Sequence, residues 1–320
     1  MRRIRIFAEA KDKRMQAVVV RTAGEHVQVE LSSGERWPAA LRGKFRLEET
    51  PFTHRVAVGD AVEVRLEENI AVIEHIYPRR NWLLRADPQH PYRRQILACN
   101  IDQALLLVTV EQPFTPLRYV DGFLVMAEMY GVPVGLGFTK ADLILSKKSA
   151  QRRGQLMQLY QSIGYKVFSL SIYQPDTLRT LREYLRSKRT FLTGLSGVGK
   201  SSLLNALMPG LNLATQPLVK QTQRGRHTTT YSALYHLPEG GEVIDSPGFG
   251  EFKPVEFAPQ ELCHYFPEMR PYLSHCRFNN CLHTDEPDCA VRAAVERGEI
   301  APSRYRSYLA LLEDSRTLPY

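Results

Sequence analysis

The segment Gly194-Leu195-Ser196-Gly197-Val198-Gly199-Lys200-Ser201 follows the spacing G-x-x-x-x-G-K-[ST]. Glycines at those places free successive backbone N–H groups to point at phosphate oxygens, and a helix starting directly afterwards adds its positive end. The pattern predicts that helix over Ser201–Leu207, with Ser202 in its first turn, after a strand over Thr190–Thr193. In this reading Lys200 neutralises the β- and γ-phosphates of a nucleoside triphosphate and Ser201 gives a hydroxyl to Mg²⁺. An accidental glycine-rich turn is the plain alternative, and the strand–loop–helix context argues against it. Asp245-Ser246-Pro247-Gly248 follows a short apolar strand edge, Glu242–Ile244. Asp245 there suits the carboxylate linked to Mg²⁺, and Gly248 lets a backbone N–H approach the γ-phosphate. A polar, basic loop from Thr215 contains Gly225-Arg226-His227-Thr228-Thr229-Thr230. Thr229 is the choice to complete the Mg²⁺ shell, with Thr228 and Thr230 as alternatives.

A second motif, Thr139-Lys140-Ala141-Asp142, stands at the end of a predicted buried strand. Asp142 can accept two hydrogen bonds from guanine, through N1–H and the exocyclic amine, which adenine does not offer. Lys140 can lay its stem along the base, and Ser169-Leu170-Ser171, at the end of the next strand, can cover it from the other side. The ligands implied are GTP and GDP. In an ordinary guanine-nucleotide domain this motif follows the phosphate loop; here it precedes it. Near the C-terminus, Cys276-x₄-Cys281-x-His283-x₅-Cys289 offers three thiolates and one imidazole. That is a closed tetrahedral set suited to one structural Zn²⁺ with no position open for catalysis. Cys99 and Cys263 stand apart and read as core thiols.

The elements needed to place these groups follow from periodicity. Gln16–Arg21, Val27–Leu31, Ala61–Leu66 and Val72–Ile76 read as short strands separated by turns, which suggests an OB-type barrel. Arg42, Lys44 and Arg46 with Phe45 between them are either a solvated turn or a loop facing nucleic acid. Pro78-Arg79-Arg80-Asn81, Pro88 and Pro91 read as a linker. Beyond it, strands at Gln103–Val110, Val132–Phe138, Tyr165–Leu170 and Thr190–Thr193 alternate with helices at Leu117–Tyr130, Ser149–Ile163 and Asp176–Lys188. This is the pattern of a doubly wound parallel sheet, whose ligands sit at the carboxyl ends of strands. The tail, with helices at Asp288–Arg297 and Ser303–Ser315, is a third region. The division expected is 1–77 for the barrel, 78–251 for the α/β nucleotide domain and 252–320 for the mostly helical zinc region.

Composition sets the outer limits. The chain has 320 residues, 43% hydrophobic and 24% charged, with 42 Lys and Arg against 34 Asp and Glu, so the formal net charge is +8. That surplus favours polyanionic partners. No apolar stretch approaches the ~20 residues that span a bilayer, and the N-terminus has no signal-peptide core. The expectation is a cytoplasmic protein with no membrane partner and no disulfide framework.

The order Thr139–Asp142, Ser169–Ser171, Gly194–Ser201, Gly225–Thr229, Asp245–Gly248 and Cys276–Cys289 resembles that of the circularly permuted, small-subunit-dependent GTPases of bacteria. Arg42-Gly43-Lys44-Phe45-Arg46, Val58-Gly59-Asp60 and Asn100-Ile101-Asp102 are also similar to that family, and the likeness covers nearly the whole chain. The resemblance implies an N-terminal OB fold, a permuted GTPase domain and a C-terminal zinc domain. It further implies action late in assembly of the 30S ribosomal subunit, contact with 16S rRNA, and hydrolysis stimulated by the subunit. A monomer is expected. This sequence departs from the family pattern in two places: Thr139 stands where Asn is usual, and Ser169-Leu170-Ser171 replaces the usual Ser-Ala. Phe249 occupies the place where Ras-like enzymes carry a water-orienting Gln, a replacement the family shares. His227 is then a candidate to orient or activate water, or else an RNA contact, and Arg224 and Arg226 are candidates for either charge stabilisation or RNA contact. The rivals are an ATP-using P-loop enzyme, which Asp142 argues against, and an RNA-binding chaperone with weak turnover, which Lys200 and Ser201 argue against.

Overall fold

The structure, a computed structural model, describes residues 14–43, 45, 50–87, 92–143, 146–214, 231–246 and 257–317. Lys44, Arg46, Pro88, Pro91, Arg224 to Thr230 and Pro247 to Phe249 lie outside them. The described residues form two compact units. One takes its residues from Met1–Ala104, Thr180–Thr193 and Lys200–Gly248; the other takes them from Leu105–Arg179, Gly194–Gly199 and Phe249–Tyr320.

In the first unit, β1 (Arg14–Ala23), β2 (His26–Leu31), β3 (Arg36–Leu41), β4 (Ala61–Leu66) and β5 (Ala71–Ile76) close a five-stranded barrel. Its order is β1-β2-β3-β5-β4, with β4 returning to β1. Every pairing is antiparallel except β3–β5. Alternation drives closure: Val62, Val64 and Leu66 of β4 point inward onto Val19, Val29, Trp37 and Ile73, as the period of two requires. The sequence pattern did not predict β3. Pro38 interrupts it and two alanines weaken its strand propensity, yet Trp37 and Ala39 alternate into the core. The segment read as a linker contributes β6 (Trp82–Ala86), which pairs with β7 (Arg94–Cys99) as an antiparallel hairpin. Arg79 from the same segment forks onto the fully buried Asp60 at 2.7 and 2.9 Å.

The barrel continues into a second set of strands. β1 pairs antiparallel with β12 (Ser232–His236), through Arg21↔Ala233 and Thr22↔Ser232. β12 pairs with β13 (Glu242–Asp245), which runs parallel to β11 (Arg189–Gly194). Helix α4 (Lys200–Leu207) follows the phosphate loop. β12 was also missed in the sequence, since only Ala233 and Leu234 of its five residues are buried.

In the second unit, β8 (Gln103–Val108), β9 (Val134–Phe138) and β10 (Lys166–Ser169) are adjacent in the order β10-β9-β8. β9 and β10 are parallel with Phe138 opposite Ser169, so their carboxyl ends reach one edge together. β8 and β9 are buried along their whole length, as expected of parallel strands covered on both faces. Helix α1 (Leu117–Met129) buries nine consecutive residues, α2 (Lys147–Ile163) is capped by Ser146 and ended by the left-handed Gly164, and α3 (Pro175–Leu185) precedes β11. The C-terminal region contains a 3₁₀ segment, Pro259–Tyr265, and helices α5 (Arg270–Leu273), α6 (Ala290–Glu296) and α7 (Pro302–Thr317). Phe266, Met269, Ile300, Tyr308 and Leu311 build its core, and Val125 of α1 joins it.

Candidate nucleotide site and Cys/His centre

The base motif is set by the end of β9. Thr139 N–H donates to Val108 O at 3.0 Å, continuing the strand ladder. Its Oγ1 donates to Val198 O of the phosphate loop at 2.7 Å. The hydroxyl thus ties the base motif to the phosphate loop from the position where the family pattern has an amide. Lys140 adopts φ +56°, a left-handed conformation that costs a non-glycine residue about 1 kcal/mol. Its Nζ donates to Gln112 O at 2.6 Å. Burial lowers its pKa, and the charge of Asp142 opposes the fall.

Asp142 is exposed and accepts from Ser171 Oγ at 2.6 Å. Leu170 is buried and both its backbone groups are used: its N–H donates to Phe138 O at 2.8 Å and its carbonyl accepts from Ala141 at 3.1 Å. Of the three residues Ser169 to Ser171, Ser171 reaches Asp142 by its side chain, whereas Leu170 meets the motif through its backbone carbonyl and buries its side chain. Ser169 Oγ instead receives Arg153 Nη2 from α2. Arg153 was not anticipated. Burial lowers its pKa against the field of Asp142, and its Nε is buried without a hydrogen-bond partner. No motif marks it, because it is one of four basic residues on a mostly exposed helix.

Gly194 opens the phosphate loop at φ +149°, and a Cβ there would stand 2.8 Å from Leu107 O and 2.9 Å from Val198 Cγ2. Only glycine lets the chain leave β11 so close to β8. Ser196 and Gly197 are exposed, while Val198 anchors the loop in the core. The loop passes from one unit to the other at the peptide bond between Gly199 and Lys200.

On the other side of that bond, Lys200 begins α4 at 8% exposure and faces Asp245, 2% exposed at the end of β13. Burial pushes the Asp245 carboxyl up to about 6, opposed by the Lys200 charge and the Ser246 N–H. The same burial lowers the Lys200 pKa. Asp245 Oδ1 is buried with no hydrogen-bond partner. An unmatched carboxylate oxygen beside a buried ammonium suits a hard divalent cation. Ser201 and Ser202 are half-buried in the first turn of α4. His227, Thr229 and Gly248 fall outside the described residues.

Cys276, Cys281, His283 and Cys289 converge, with one ligand atom of each lying within 4.8 Å of the others. His283 Nδ1 faces Cys276 Sγ at 3.5 Å and Cys289 Sγ at 3.4 Å. Glu286 accepts from Leu282 N–H and Thr284 N–H at 2.8 Å each, and Tyr305 donates to His283 O at 2.6 Å, so the ligand loop is held from behind. Burial lowers the His283 pKa, keeping a neutral imidazole, and pushes the Cys281 thiol up to about 12. Three thiols and an imidazole brought together in burial fit a thiophilic cation such as Zn²⁺, which would ionise the thiols.

The G-x-x-x-x-G-K-S motif between a strand and a helix, and a Thr-Lys-Ala-Asp segment that precedes it in the chain and is hydrogen-bonded to its Val198, are the features of a P-loop nucleotide hydrolase of permuted motif order. The RsgA GTPase family model matches residues 76–254. The "Small ribosomal subunit biogenesis GTPase RsgA" of Bacteroides fragilis (strain YCH46) is 39% identical over 307 residues, covering 96% of this chain and 99% of that protein. The protein of the same name from Flavobacterium johnsoniae is 38% identical, with 93% of each chain covered. Among solved structures, YjeQ from Thermotoga maritima superposes with a TM-score of 0.74 at 36% identity, covering 95% of this chain and 99% of that one. YloQ, described as a circularly permuted GTPase, superposes at 0.69 with 29% identity, covering 97% and 98%. The chain belongs to the RsgA GTPase family and is a GTP hydrolase with a circularly permuted GTPase domain. No helix among the described residues is long and apolar enough to cross a membrane.

Proposed function

We propose that this chain hydrolyses GTP on the small (30S) ribosomal subunit late in its assembly, with the subunit stimulating the reaction. The observation that carries the nucleotide assignment is Asp142, fixed by Ser171 at 2.6 Å in a motif that Thr139 ties to the phosphate loop at 2.7 Å. The subunit enters through relatives named as small ribosomal subunit biogenesis GTPases, and the net charge of +8 suits 16S rRNA. In this reading the barrel is 1–77, the GTPase domain 78–251 and the zinc region 252–320. Asp142 reads guanine, Lys140 covers the ring, and Ala141 and Ser169 to Ser171 line the base side. Gly194 to Gly199 and Lys200 hold the phosphates. Ser201, Thr229 and Asp245 would hold Mg²⁺, which when bound offsets the negative charge on the phosphate oxygens. Gly248 offers its N–H to the γ-phosphate, and His227 orients the attacking water. Cys276, Cys281, His283 and Cys289 would hold one structural Zn²⁺. The protein acts as a cytoplasmic monomer, bound to the subunit with GTP and released after hydrolysis.

The test is turnover of GTP and ATP with and without purified 30S subunits, for the wild type and for Asp142→Asn. Subunit-stimulated GTP turnover that loses its base preference in Asp142→Asn is expected. An ATP-favouring wild type would overturn the base assignment. Equal turnover with and without subunits would favour an RNA-binding chaperone with weak turnover. His227→Ala with full stimulated kcat would remove that residue from catalysis.

A further inference from the structure

Three strands place one line of side chains between the barrel and the Mg²⁺ carboxylate. Arg21 of β1 stands opposite Ala233 of β12, and Ala233 stands opposite Asp245 of β13. Residues directly opposed across strands emerge on the same face of a sheet. Tyr231 and Tyr235 lie two residues either side of Ala233 and so share that face. The contacts follow this geometry. The Arg21 guanidinium carbon sits 3.7 Å from the centroid of the Tyr231 ring. The Tyr231 and Tyr235 side chains are hydrogen-bonded, and Tyr235, partly buried, lies in the fields of both Asp245 and Arg21. The small Ala233 leaves room for the two rings to meet.

The barrel holds β12 a second time. His236 Nε2 meets Glu30 Oε1 of β2 at 2.6 Å, and Arg36 of β3 binds Glu30 at 2.7 Å and Leu234 O at 3.4 Å. One edge of β12 is thus fixed by barrel strand β1, and its other edge carries the strand that ends in Asp245. In the chain, Tyr231 directly follows Thr228-Thr229-Thr230.

We propose that Arg21 is a positioning residue for GTP hydrolysis: seated on Tyr231, it fixes β12 against the barrel and thereby sets the place of Asp245. This rests on the reading of Asp245 as the Mg²⁺-linked carboxylate. Arg21 touches no reacting atom and acts only through the tyrosine pair.

The experiment measures turnover of the full chain over a range of GTP concentrations and compares Arg21→Gln, Arg21→Lys, Tyr231→Leu and the double variant Arg21→Gln/Tyr231→Leu, each with its melting curve. A cation over a tyrosine ring at an exposed site is worth a factor of about two to five in an equilibrium. Arg21→Gln and Tyr231→Leu are each expected to lower kcat by about two- to fivefold with KM for GTP unchanged. The double variant should fall no further than the worse single, and Arg21→Lys should recover most of the loss. Additive losses, or an unchanged kcat in Arg21→Gln with only a lower melting temperature, would overturn the proposal. Asp245→Asn separates the two levels: full turnover in that variant refutes the carboxylate reading itself, whatever the Arg21 variants do.

Discussion

Replacing Arg304 with leucine should loosen the C-terminal region by several kcal/mol. Arg304 of α7 is 1% exposed and meets Asp121 of α1, also 1% exposed, at 2.5 Å. It binds Glu268, 10% exposed, through Nε at 2.5 Å and Nη2 at 3.2 Å. Tyr160 donates to Asp121 at 2.8 Å, and the guanidinium lies 4.6 Å from the Phe266 ring centroid. Two buried carboxylates share one cation, and together they hold its pKa well above the ordinary arginine value despite burial. Leucine removes the cation shared by two desolvated carboxylates, for which about 3–5 kcal/mol is typical. Lysine keeps a point charge but loses the planar fork that serves both acids at once, so Arg304→Lys should cost about 1–3 kcal/mol. Replacing Arg304, Asp121 and Glu268 together by apolar residues should recover most of the loss, since no charge is then left unpaired. Because a chain of two units need not unfold in one step, native-state hydrogen exchange of the α1 and α7 amides is the suitable assay. A loss below about 1 kcal/mol in Arg304→Leu would mean that water reaches the carboxylates, and the buried-triad reasoning would fail.

On the reading of the Cys/His cluster as a zinc centre, a chelator, or replacing Cys289 with Ser, should unfold the segment around α6 while the barrel keeps its melting transition; circular dichroism with a colorimetric zinc assay reads both effects. Asp245→Asn should stabilise the nucleotide-free protein at pH 7. The carboxyl titrates at about 6 in the fold and near 4 in an unfolded chain, so ionising it costs the fold about 3 kcal/mol. The same variant should lose GTP turnover, and an unchanged melting temperature would count against the desolvated carboxylate. Glu74 behaves in the opposite sense. A hydrogen bond from Arg65, with Arg42 and Arg14 nearby, holds its carboxyl below the ordinary value. Its contribution to barrel stability is therefore present above the usual glutamate range and lost as pH falls through the lowered value. The melting temperature of Glu74→Gln should vary less with acidification below pH 5 than that of the wild type.

Chemistry was easier to read in this sequence than packing. The phosphate loop, the base motif and the Cys/His set announce themselves because each needs particular residue types at fixed spacing, and the buried strands Gln103–Val108 and Val134–Phe138 because both faces are covered. Strands β3 and β12 escaped notice for a local reason: Pro38 and a half-exposed five-residue edge obscure the alternation. Trp82–Ala86 was read as linker because prolines flank it, although its pairing with Arg94–Cys99 is a tertiary fact. Within the candidate site, the spacing marks Asp142 and the strand end marks Ser169-Leu170-Ser171, but not which of the three meets Asp142. Ser171 rather than Leu170 reaches it because the strand ladder consumes both backbone groups of Leu170. Arg153 comes from a helix whose sequence reads only as polar.

The permutation places a mechanical demand on one glycine. We read the segment Leu185–Thr190 as the join between what would be the free ends of an unpermuted GTPase domain; it runs from the end of α3 directly into β11. The turn between β12 and β13 presses on this join. Gly241 sits at φ +96°, and a Cβ there would stand 2.3 Å from Leu185 O and 3.2 Å from both Lys188 O and Ser187 N. Glu242 N–H donates to Lys188 O at 2.8 Å, which fixes the start of β13 to the join. Gly241→Ala meets backbone on three sides, so nothing flexible can yield. Left-handed strain of about 1–2 kcal/mol and overpacking of about 1–3 kcal/mol together predict a loss of about 2–5 kcal/mol. The loss should not stay local. β13 has four residues and ends in Asp245, so displacing its first residue moves the carboxylate as well. Gly241→Ala should therefore weaken Mg²⁺-dependent GTP binding in the fraction that remains folded, measured with a fluorescent GTP analogue below the melting temperature. Binding at wild-type affinity, in a variant destabilised by the expected amount, would show that the join carries stability alone and that Asp245 is placed by its barrel side.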